Sequence, residues 1–305
     1  MSIWKSFAVT KTGASHLKHG KGCEDYSLNI SLRSSVMKKW YAEIAIVADG
    51  HGSNDCFRSA KGAELAANCA KAAIKQFYVS IIKNSISPSA QMPSLIKNII
   101  KEWHEKVDAD IAQNAVTEAE LEKVSEKYRQ RFERGENLHH AYGTTLIAAA
   151  ITADYWFGIH IGDGRFTALY ADGSFDQPVP WDERCYLNVT TSICDDDAVD
   201  TARCYVSYHK DKAPPLAVFL CSDGVYDNYP VECNEQHLFK LYRTIALTFV
   251  EDGYDSTCAQ LQDLANSFAT KGKSDDTSIA GFIDMEGIKR AAPIWRQQIA
   301  FGGSR

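Results

Sequence analysis

The stretch IVADGHGSND, residues 46–55, closes an apolar run with an aspartate, a histidine and two glycines. Working backwards, Trp40 to Ala48 is apolar enough towards its end to be a buried sheet strand that stops at Asp49-Gly50. An Asp-Gly pair is common turn punctuation, so Asp49-Gly50-His51-Gly52 alone does not separate a turn from a reaction centre. The surrounding chain has to decide.

Forwards, small and apolar residues recur at helical spacing between Asp55 and Tyr78 (Ala63, Ala66, Ala67, Ala70, Ala73, Ile74, Phe77), with Ser53 and Asn54 as caps. After Pro93, a second stripe runs Leu95, Ile96, Ile99, Ile100, Trp103, Val107 and Ile111, and a charged, solvated helical segment continues to about Arg134. Residues 3–10 and 26–32 read as strands, as do Gly143–Ile151, Tyr155–Ile161, Arg165–Tyr170, Pro215–Cys221 and Thr277–Ile283. The Gly162-Asp163-Gly164 turn predicts a hairpin between two of them. Residues 235–249 and 255–270 read as helices. This alternation suggests sheets covered by helices. Residues 176–213, with Pro178, Pro180 and the acidic run Asp195-Asp196-Asp197, read as an irregular flap, and 286–305 as a peripheral tail after one domain spanning 1–285.

The chain of 305 residues is 45% hydrophobic and 24% charged, the balance of a globular protein with ample core. A net charge of −6, without long basic runs, argues against a nucleic-acid or anionic-membrane surface and for protein or small-molecule partners. No apolar run approaches a membrane span, and the start MSIWKSFAVT lacks the basic and apolar regions of a secretory signal, so a cytoplasmic location is expected. Nine cysteines without a C-x-x-C pair predict reduced, mostly buried thiols rather than disulfides or a zinc knuckle.

Three apolar strands have an aspartate at one end: Asp49, Asp223, and the pair Asp275-Asp276 that precedes its strand. If the last strand runs antiparallel to the other two, all these carboxylates reach one sheet edge. Crowded carboxylates resolve their repulsion by protonation or by a bound cation, and an oxygen-only set favours Mg²⁺ or Mn²⁺ over zinc. The bland alternative is that each aspartate caps its own turn.

The ordered series Glu24-Asp25, Asp49-Gly50-His51-Gly52, Gly143-Thr144-Thr145, Gly162-Asp163-Gly164-Arg165, Ser222-Asp223-Gly224 and Asp275-Asp276-Thr277-Ser278 resembles the metal-dependent protein phosphatase family, the type 2C serine/threonine phosphatases. The resemblance spans roughly residues 5–284. It implies an α+β fold, a four-layer α-β-β-α sandwich of two antiparallel sheets flanked by helices, with a dinuclear Mg²⁺ or Mn²⁺ site at one edge. It further implies that Asp49 bridges two metals, that the Gly50 carbonyl is a ligand, and that Asp223 and Asp275 complete the first metal's shell. Glu24 and Asp25 would hold the second metal, largely through waters, and Asp163 a third, weaker one. Aligning on Thr277-Ser278 places Asp275 on the ligand and Asp276 on the family's usual asparagine.

The chemistry implied is attack on a phosphoserine or phosphothreonine by a metal-activated water, with two cations roughly 3.5–4 Å apart. By the same resemblance His51 donates a proton to the leaving alkoxide. His139, His140, His160 and His209 read as surface or core residues, while His16 and His19 could border the site. The chain departs from the family at Gly20, where many members carry an arginine that grips the phosphate. Lys21, Lys18 or His16 are the replacements available, and a lysine lacks the bidentate fork of an arginine.

A phosphorylated protein is therefore the expected substrate, a cognate serine/threonine kinase a possible partner, and a monomer the expected state. The alternatives are a non-catalytic phosphatase-like binding module, disfavoured by retention of Asp49, Asp223 and Asp275, and a phosphatase of small phosphomonoesters, left open by Gly20.

Overall fold

The structure, a computed structural model, describes residues 2–33, 41–186, 189–271 and 274–300. Its strands are β1 (Trp4–Lys11), β2 (Asp25–Arg33), β3 (Tyr41–Asp49), β4 (Leu146–Thr152), β5 (Tyr155–Ile161), β6 (Arg165–Leu169), β7 (Phe175–Asp176), β8 (Arg203–Tyr208), β9 (Ala217–Cys221) and β10 (Thr277–Asp284). The helices are α1 (Ala14–Lys18), α2 (Ser59–Asn84), α3 (Pro88–Gln113), α4 (Glu118–Leu121), α5 (Glu126–Glu133), α6 (Ala198–Thr201), α7 (Asp223–Tyr226), α8 (Asn234–Glu251), α9 (Tyr254–Thr270) and α10 (Met285–Ala300).

Two antiparallel five-stranded sheets form, ordered β1-β10-β9-β6-β7 and β2-β3-β4-β5-β8. Period-two alternation explains why they stack. In β3, Ala45 and Val47 point into the space between the sheets, while Ile44, Ile46 and Ala48 point outwards against helices. On β9 and β10, Val218, Leu220, Ala280 and Phe282 fill the same central layer, and Phe219 and Ile279 face outwards. Both faces of each central strand are apolar because both are covered. The outer face of the β3 sheet buries Ala63, Ala66, Ala70, Ile99 and Trp103 of α2 and α3, and that of the β9 sheet buries Leu238, Tyr242, Leu261 and Trp295 of α8, α9 and α10. The result is the expected four-layer α-β-β-α sandwich.

Several local expectations are corrected. The Gly162-Asp163-Gly164 turn makes no hairpin: β5 pairs with β4 and β8, whereas β6 pairs with β9 and β7, so the turn carries the chain from one sheet to the other. Gly162 sits at φ +102°, and a Cβ on Gly158 would fall 1.7 Å from the Phe166 ring, which packs across the gap. An Asp-Gly signal reports a sharp turn but not which sheet follows it.

The segment expected to be a flap, 176–213, is partly core. Its β8 is an edge strand on β5, and Ile193 is fully buried with its N–H on the Thr144 carbonyl at 3.0 Å. The tail is not peripheral as far as residue 300: α10 lays Ile288, Ala291, Ala292 and Trp295 into the core, with the Trp295 indole N–H on the Ala171 carbonyl at 3.1 Å. Its apolar residues recur at helical spacing, a pattern that Gly287 and Pro293 obscure in the sequence.

Helix α2 starts at Ser59, after a short 3-10 turn over Asn54–Cys56, and neither Ser53 nor Arg58 caps with a side-chain hydrogen bond. Helix α3 starts at Pro88, not after Pro93, because proline fits the first helical turn. The charged segment breaks into α4, opened by a Thr117–Glu120 capping box, and α5. Trp40, expected at the head of β3, lies outside the described residues.

Candidate metal centre

The antiparallel ladder brings the acidic residues together. Asp25 at the start of β2 is the register partner of Asp49 at the end of β3. Cys221 at the end of β9 pairs with Ile279 near the start of β10, so Asp223 and Asp275 leave the other sheet at the same edge. Asp163 arrives from the crossover between the sheets. Together with Glu24, Gly50, His51 and His16 they line one cleft of about 810 Å³. A separate apolar groove of about 580 Å³ beside Tyr78 and Val79 holds none of these residues.

The backbone under the cleft is tightly fixed. The Asp49 carbonyl accepts from Thr145 N at 2.8 Å and Thr144 Oγ1 at 2.9 Å, and the Asp49 N–H donates to Thr145 Oγ1 at 3.0 Å. Gly143-Thr144-Thr145 thus supports the site, although β4 begins only at Leu146 and Thr144 joins Gly50 through an isolated bridge. Gly50 is required for close approach: a Cβ there would lie 2.5 Å from the Glu24 carbonyl oxygen. Gly224 is tighter still, at 1.8 Å from the Asp276 carbonyl oxygen.

Asp275 and Asp276 divide their roles sharply. The Asp275 side chain is 52% exposed and lines the cleft. The Asp276 side chain is 4% exposed and accepts from Gly13 N at 2.7 Å and from Glu24 N at 2.5 Å, pinning the loop that delivers the acidic pair. Ser222 Oγ donates to Asp25 Oδ2 at 2.8 Å, tying the two sheets together at the site.

Electrostatically the cluster is strained. Burial, helped by Asp276, pushes Asp25 up to about 8. Burial with Asp163 and Asp275 pushes Asp223 up to about 7. Asp49 is held well above the usual carboxylate range by burial and by Asp25, Asp223 and Asp163, and burial also raises Asp163 and Glu24. Among the described residues no three ligating side chains close around one point. Instead Asp25 and Asp223 press on Asp49, and the crowded carboxyls hold protons more tightly than free ones. A hard divalent cation would displace those protons and reverse the repulsion, so the donor set fits Mg²⁺ or Mn²⁺. Glu24 Oε2, buried without a hydrogen-bond donor, fits the same role.

The histidines sort differently from expectation. His51 lines the cleft with its backbone N–H on the Gly143 carbonyl at 3.1 Å, but burial and nearby His140 push its imidazole down to about 4. No carboxylate is among the causes that set it. His16 faces Asp276, Glu24 and Asp275 at 3.0, 3.5 and 3.7 Å. His19 is exposed and outside the cleft. His140, read as surface or core, forms part of the cleft wall, stacked on Tyr128 at 4.0 Å between the thiols of Cys56 at 3.8 Å and Cys194 at 3.9 Å. Only its place directly before the Ala141–Thr145 segment could have signalled this. Tyr226 and Thr190 also line the cleft unforeseen.

Gly20 has open space where a side chain would project. Lys21 reaches the rim, its Nζ 3.1 Å from the Gly52 carbonyl oxygen and 3.9 Å from Glu24 Oε1, and Lys18 is exposed outside the lining.

An α+β sandwich of two antiparallel sheets, with an acidic cleft across their common edge, defines the class. The sequence matches the protein phosphatase 2C family over residues 12–264, and the chain belongs to that family. It is a protein phosphatase acting on phosphorylated proteins. Among solved structures it is similar to the serine/threonine phosphatase Stp1 from Staphylococcus aureus, at 14% identity and TM-score 0.54 over 92% of this chain and 95% of that one. It is also similar to the catalytic domain of the serine/threonine protein phosphatase PstP in complex with two manganese ions, at 15% identity and TM-score 0.53 over 93% and 99%. A bacterial serine phosphatase is alike at 14% identity and TM-score 0.54 over 92% and 98%. At these identities the likeness is one of fold. No curated protein sequence matches the chain. No helix among the described residues is long and apolar enough to cross a membrane.

Proposed function

We propose that the cleft holds two Mg²⁺ or Mn²⁺ ions and hydrolyses phosphoserine and phosphothreonine on protein substrates. The observation that carries this reading is the convergence of Asp25, Asp49, Asp163, Asp223 and Asp275 on one cleft, where burial and mutual repulsion raise the proton affinity of Asp25, Asp49 and Asp223. When bound, the cations supply positive charge for the phosphate dianion and lower the pKa of a water between them.

Asp49, central among the carboxylates, is assigned the bridging position with the Gly50 carbonyl beside it. Asp223 and Asp275 would hold one cation, Glu24 and Asp25 the other, and Asp163 a third. His51 is assigned the proton for the leaving alkoxide. At neutral pH the free imidazole is uncharged, so it takes up that proton only when the bound phosphate's negative charge raises its affinity. Phosphate positioning falls to His16 inside the cleft and Lys21 at its rim, with Lys18 further out.

The nine free cysteines support a reducing, cytoplasmic compartment. A serine/threonine kinase that makes the substrate is the natural partner, and a monomer the proposed state. The catalytic unit in this reading runs through residue 300, because α10 completes the outer face of the β9 sheet.

The test is phosphatase activity on an aryl phosphate and on a phosphothreonine peptide, with Mn²⁺, with Mg²⁺ and with chelator. Activity on both that vanishes with chelator and returns with metal is expected. Activity that survives full chelation would exclude the two-metal reading, and turnover of small phosphomonoesters alone would favour a metabolite substrate.

A further inference from the structure

The turn Gly162-Asp163-Gly164 delivers Asp163 to the metal cleft across the gap between β5 and β6, where no strand pairing holds it. Both polar groups of the Gly162 backbone are taken by residues of the segment 176–213 instead. The N–H donates to Thr191 Oγ1 at 3.0 Å, and the carbonyl accepts from Arg203 Nη2 at 2.8 Å. On the far side of Asp163, the Arg165 guanidinium carbon lies 4.2 Å from the Trp181 ring and 4.2 Å from the Tyr226 ring, and an N–H reaches the Asp163 carbonyl at 3.3 Å.

Asp182 is the root of these contacts. Its Oδ2 accepts from Thr191 Oγ1 at 3.1 Å and lies 3.8 Å from Arg203 Nε, so it touches both residues that hold Gly162. Arg203 also donates to the Pro180 carbonyl, and Trp181 covers Arg165, so Pro180-Trp181-Asp182 clamps the turn at both ends. Asp182 is 7% exposed and Thr191 6%. Unlike Asp25, Asp49 and Asp223, Asp182 keeps its charge, because hydrogen bonds from Arg184 hold its carboxyl down at about 2. It does not line the cleft and is not one of its candidate ligands, whereas Thr190, beside Thr191, does line it with Asp163. Thr145 blocks the turn from one side, its Cγ2 lying 2.5 Å from where a Gly162 Cβ would stand. Thr191 and Arg203 tether it from the other.

We propose that Asp182 is a positioning residue for metal binding: through Thr191 and Arg203 it fixes the Gly162-Asp163 turn and sets how firmly the cleft holds the cation assigned to Asp163. The proposal rests on the metal-dependent phosphatase reading of the cleft. It gives the segment over the cleft a part in cation binding without placing Asp182 among the ligands.

The experiment follows Mn²⁺ binding by electron paramagnetic resonance, and measures kcat and the Mn²⁺ activation constant on an aryl phosphate. The proteins are wild type, Asp182→Asn, Thr191→Val, Thr191→Ser, Asp163→Asn and the Asp182→Asn/Asp163→Asn double variant, each checked for folding by thermal melts. Asp182→Asn and Thr191→Val are expected to weaken one Mn²⁺ by about 10- to 100-fold, the scale for residues that orient a ligand from behind, and to leave the tighter ions unchanged. That ion should be the one Asp163→Asn loses, so the double variant should lose nothing further. Thr191→Ser, which keeps the hydroxyl, should bind as wild type does. Kinetically the activation constant should rise in Asp182→Asn while kcat recovers at saturating Mn²⁺. Should Thr191→Val fail to fold, the comparison of Asp182→Asn with the double variant decides. Folded variants whose Mn²⁺ affinities all match wild type would overturn the proposal, as would an equal weakening of every ion or a further loss in the double variant. If Mn²⁺ binds but aryl phosphate is not hydrolysed, the phosphatase reading fails alone and the binding data still decide the role of Asp182. A protein that binds no Mn²⁺ overturns both.

Discussion

Asp25 sits directly opposite Asp49 in the β2–β3 ladder, and its carboxyl group helps hold Asp49 in the protonated form. In an ordinary strand pair, like charges facing each other would be selected against. Here Asp25 is buried and Asp49 half-buried, and Ser222 from the other sheet donates to Asp25, so the repulsion is built into the junction of both sheets. Such a junction is stable when something positive, a proton or a metal, lies between the carboxyls.

The pH dependence of stability follows from the sign of these shifts. Asp25 and Asp223 hold their protons up to about 8 and about 7, above the range of an unfolded aspartate. Folded pKa values above the unfolded ones give stability that is fully present below about pH 4 and is lost as pH rises through the folded values. His51, pushed down to about 4, acts the other way, its contribution being lost as pH falls below the unfolded value of about 6.5. Metal-free protein is therefore expected to lose thermal stability as pH rises from neutral to mildly alkaline. Mn²⁺ should restore it, with a Tm increment of several degrees that grows with pH because the metal displaces fewer protons. Thermal melts with and without Mn²⁺ across this range check it, and an increment that does not change with pH would contradict proton–metal exchange in the cleft.

Asp49→Asn removes the oxygen anion a cation would need while keeping the shape. Its backbone is held by Thr144 and Thr145 rather than by its side chain, so the fold should survive. The metal-free variant should be as stable as wild type or more so, since an amide keeps the shape and cannot ionise against its neighbours as pH rises. Phosphatase kcat/KM is expected to fall by roughly 10³-fold, the scale of losing a central electrostatic element of a site. A variant within tenfold of wild type would remove Asp49 from the bridging position.

Much of this site is legible in the sequence because it is built from strand ends. An apolar run followed by an acid, as in Ile46–Asp49 or Phe219–Asp223, states both that the strand is buried and that a carboxylate emerges from it. What the sequence does not state is which strands are neighbours. The Gly162–Gly164 turn looks like a hairpin because turn chemistry is local, while the choice of sheet is made by Phe166 packing over Gly158. Asp276 looks like a ligand's twin, and only the backbone N–H groups of Gly13 and Glu24 around it show that it organises a loop. Arg165 between Trp181 and Tyr226 joins three residues distant in sequence and has no local signature.

Trp295 tests the reassignment of the C-terminal segment. It is fully buried among residues of the β9 sheet's outer layer, with its indole N–H bonded to Ala171. Trp295→Ala removes a large apolar side chain and leaves the Ala171 carbonyl short of a donor, a loss of about 3–5 kcal/mol. Chemical denaturation should show this as a lower midpoint with little change in slope. A loss below about 1 kcal/mol would mean that α10 is dispensable, as a peripheral tail would be.

Asp276 provides the last test, because it separates holding a metal from holding the loop that holds the metal. Its Oδ1 accepts from Gly13 and its Oδ2 from Glu24, so both oxygens act as acceptors. Asp276→Asn must turn an NH₂ group towards one of these N–H groups, a donor–donor conflict that loosens either α1's approach or the Glu24-Asp25 pair. The substitution also removes the charge that, after burial, does most to raise Asp25. Asp25 should then give up its proton at lower pH, which by itself favours metal binding, whereas the loosened loop weakens it. The structural term is expected to dominate at neutral pH, lowering Mn²⁺ affinity by about 10- to 100-fold, as for other residues that orient ligands without touching the metal. Saturating Mn²⁺ should recover most of kcat, which it would not do for Asp49→Asn. If excess metal leaves kcat unrestored, Asp276, which also lines the cleft, itself takes part in the reacting site, and holding the loop does not describe its role.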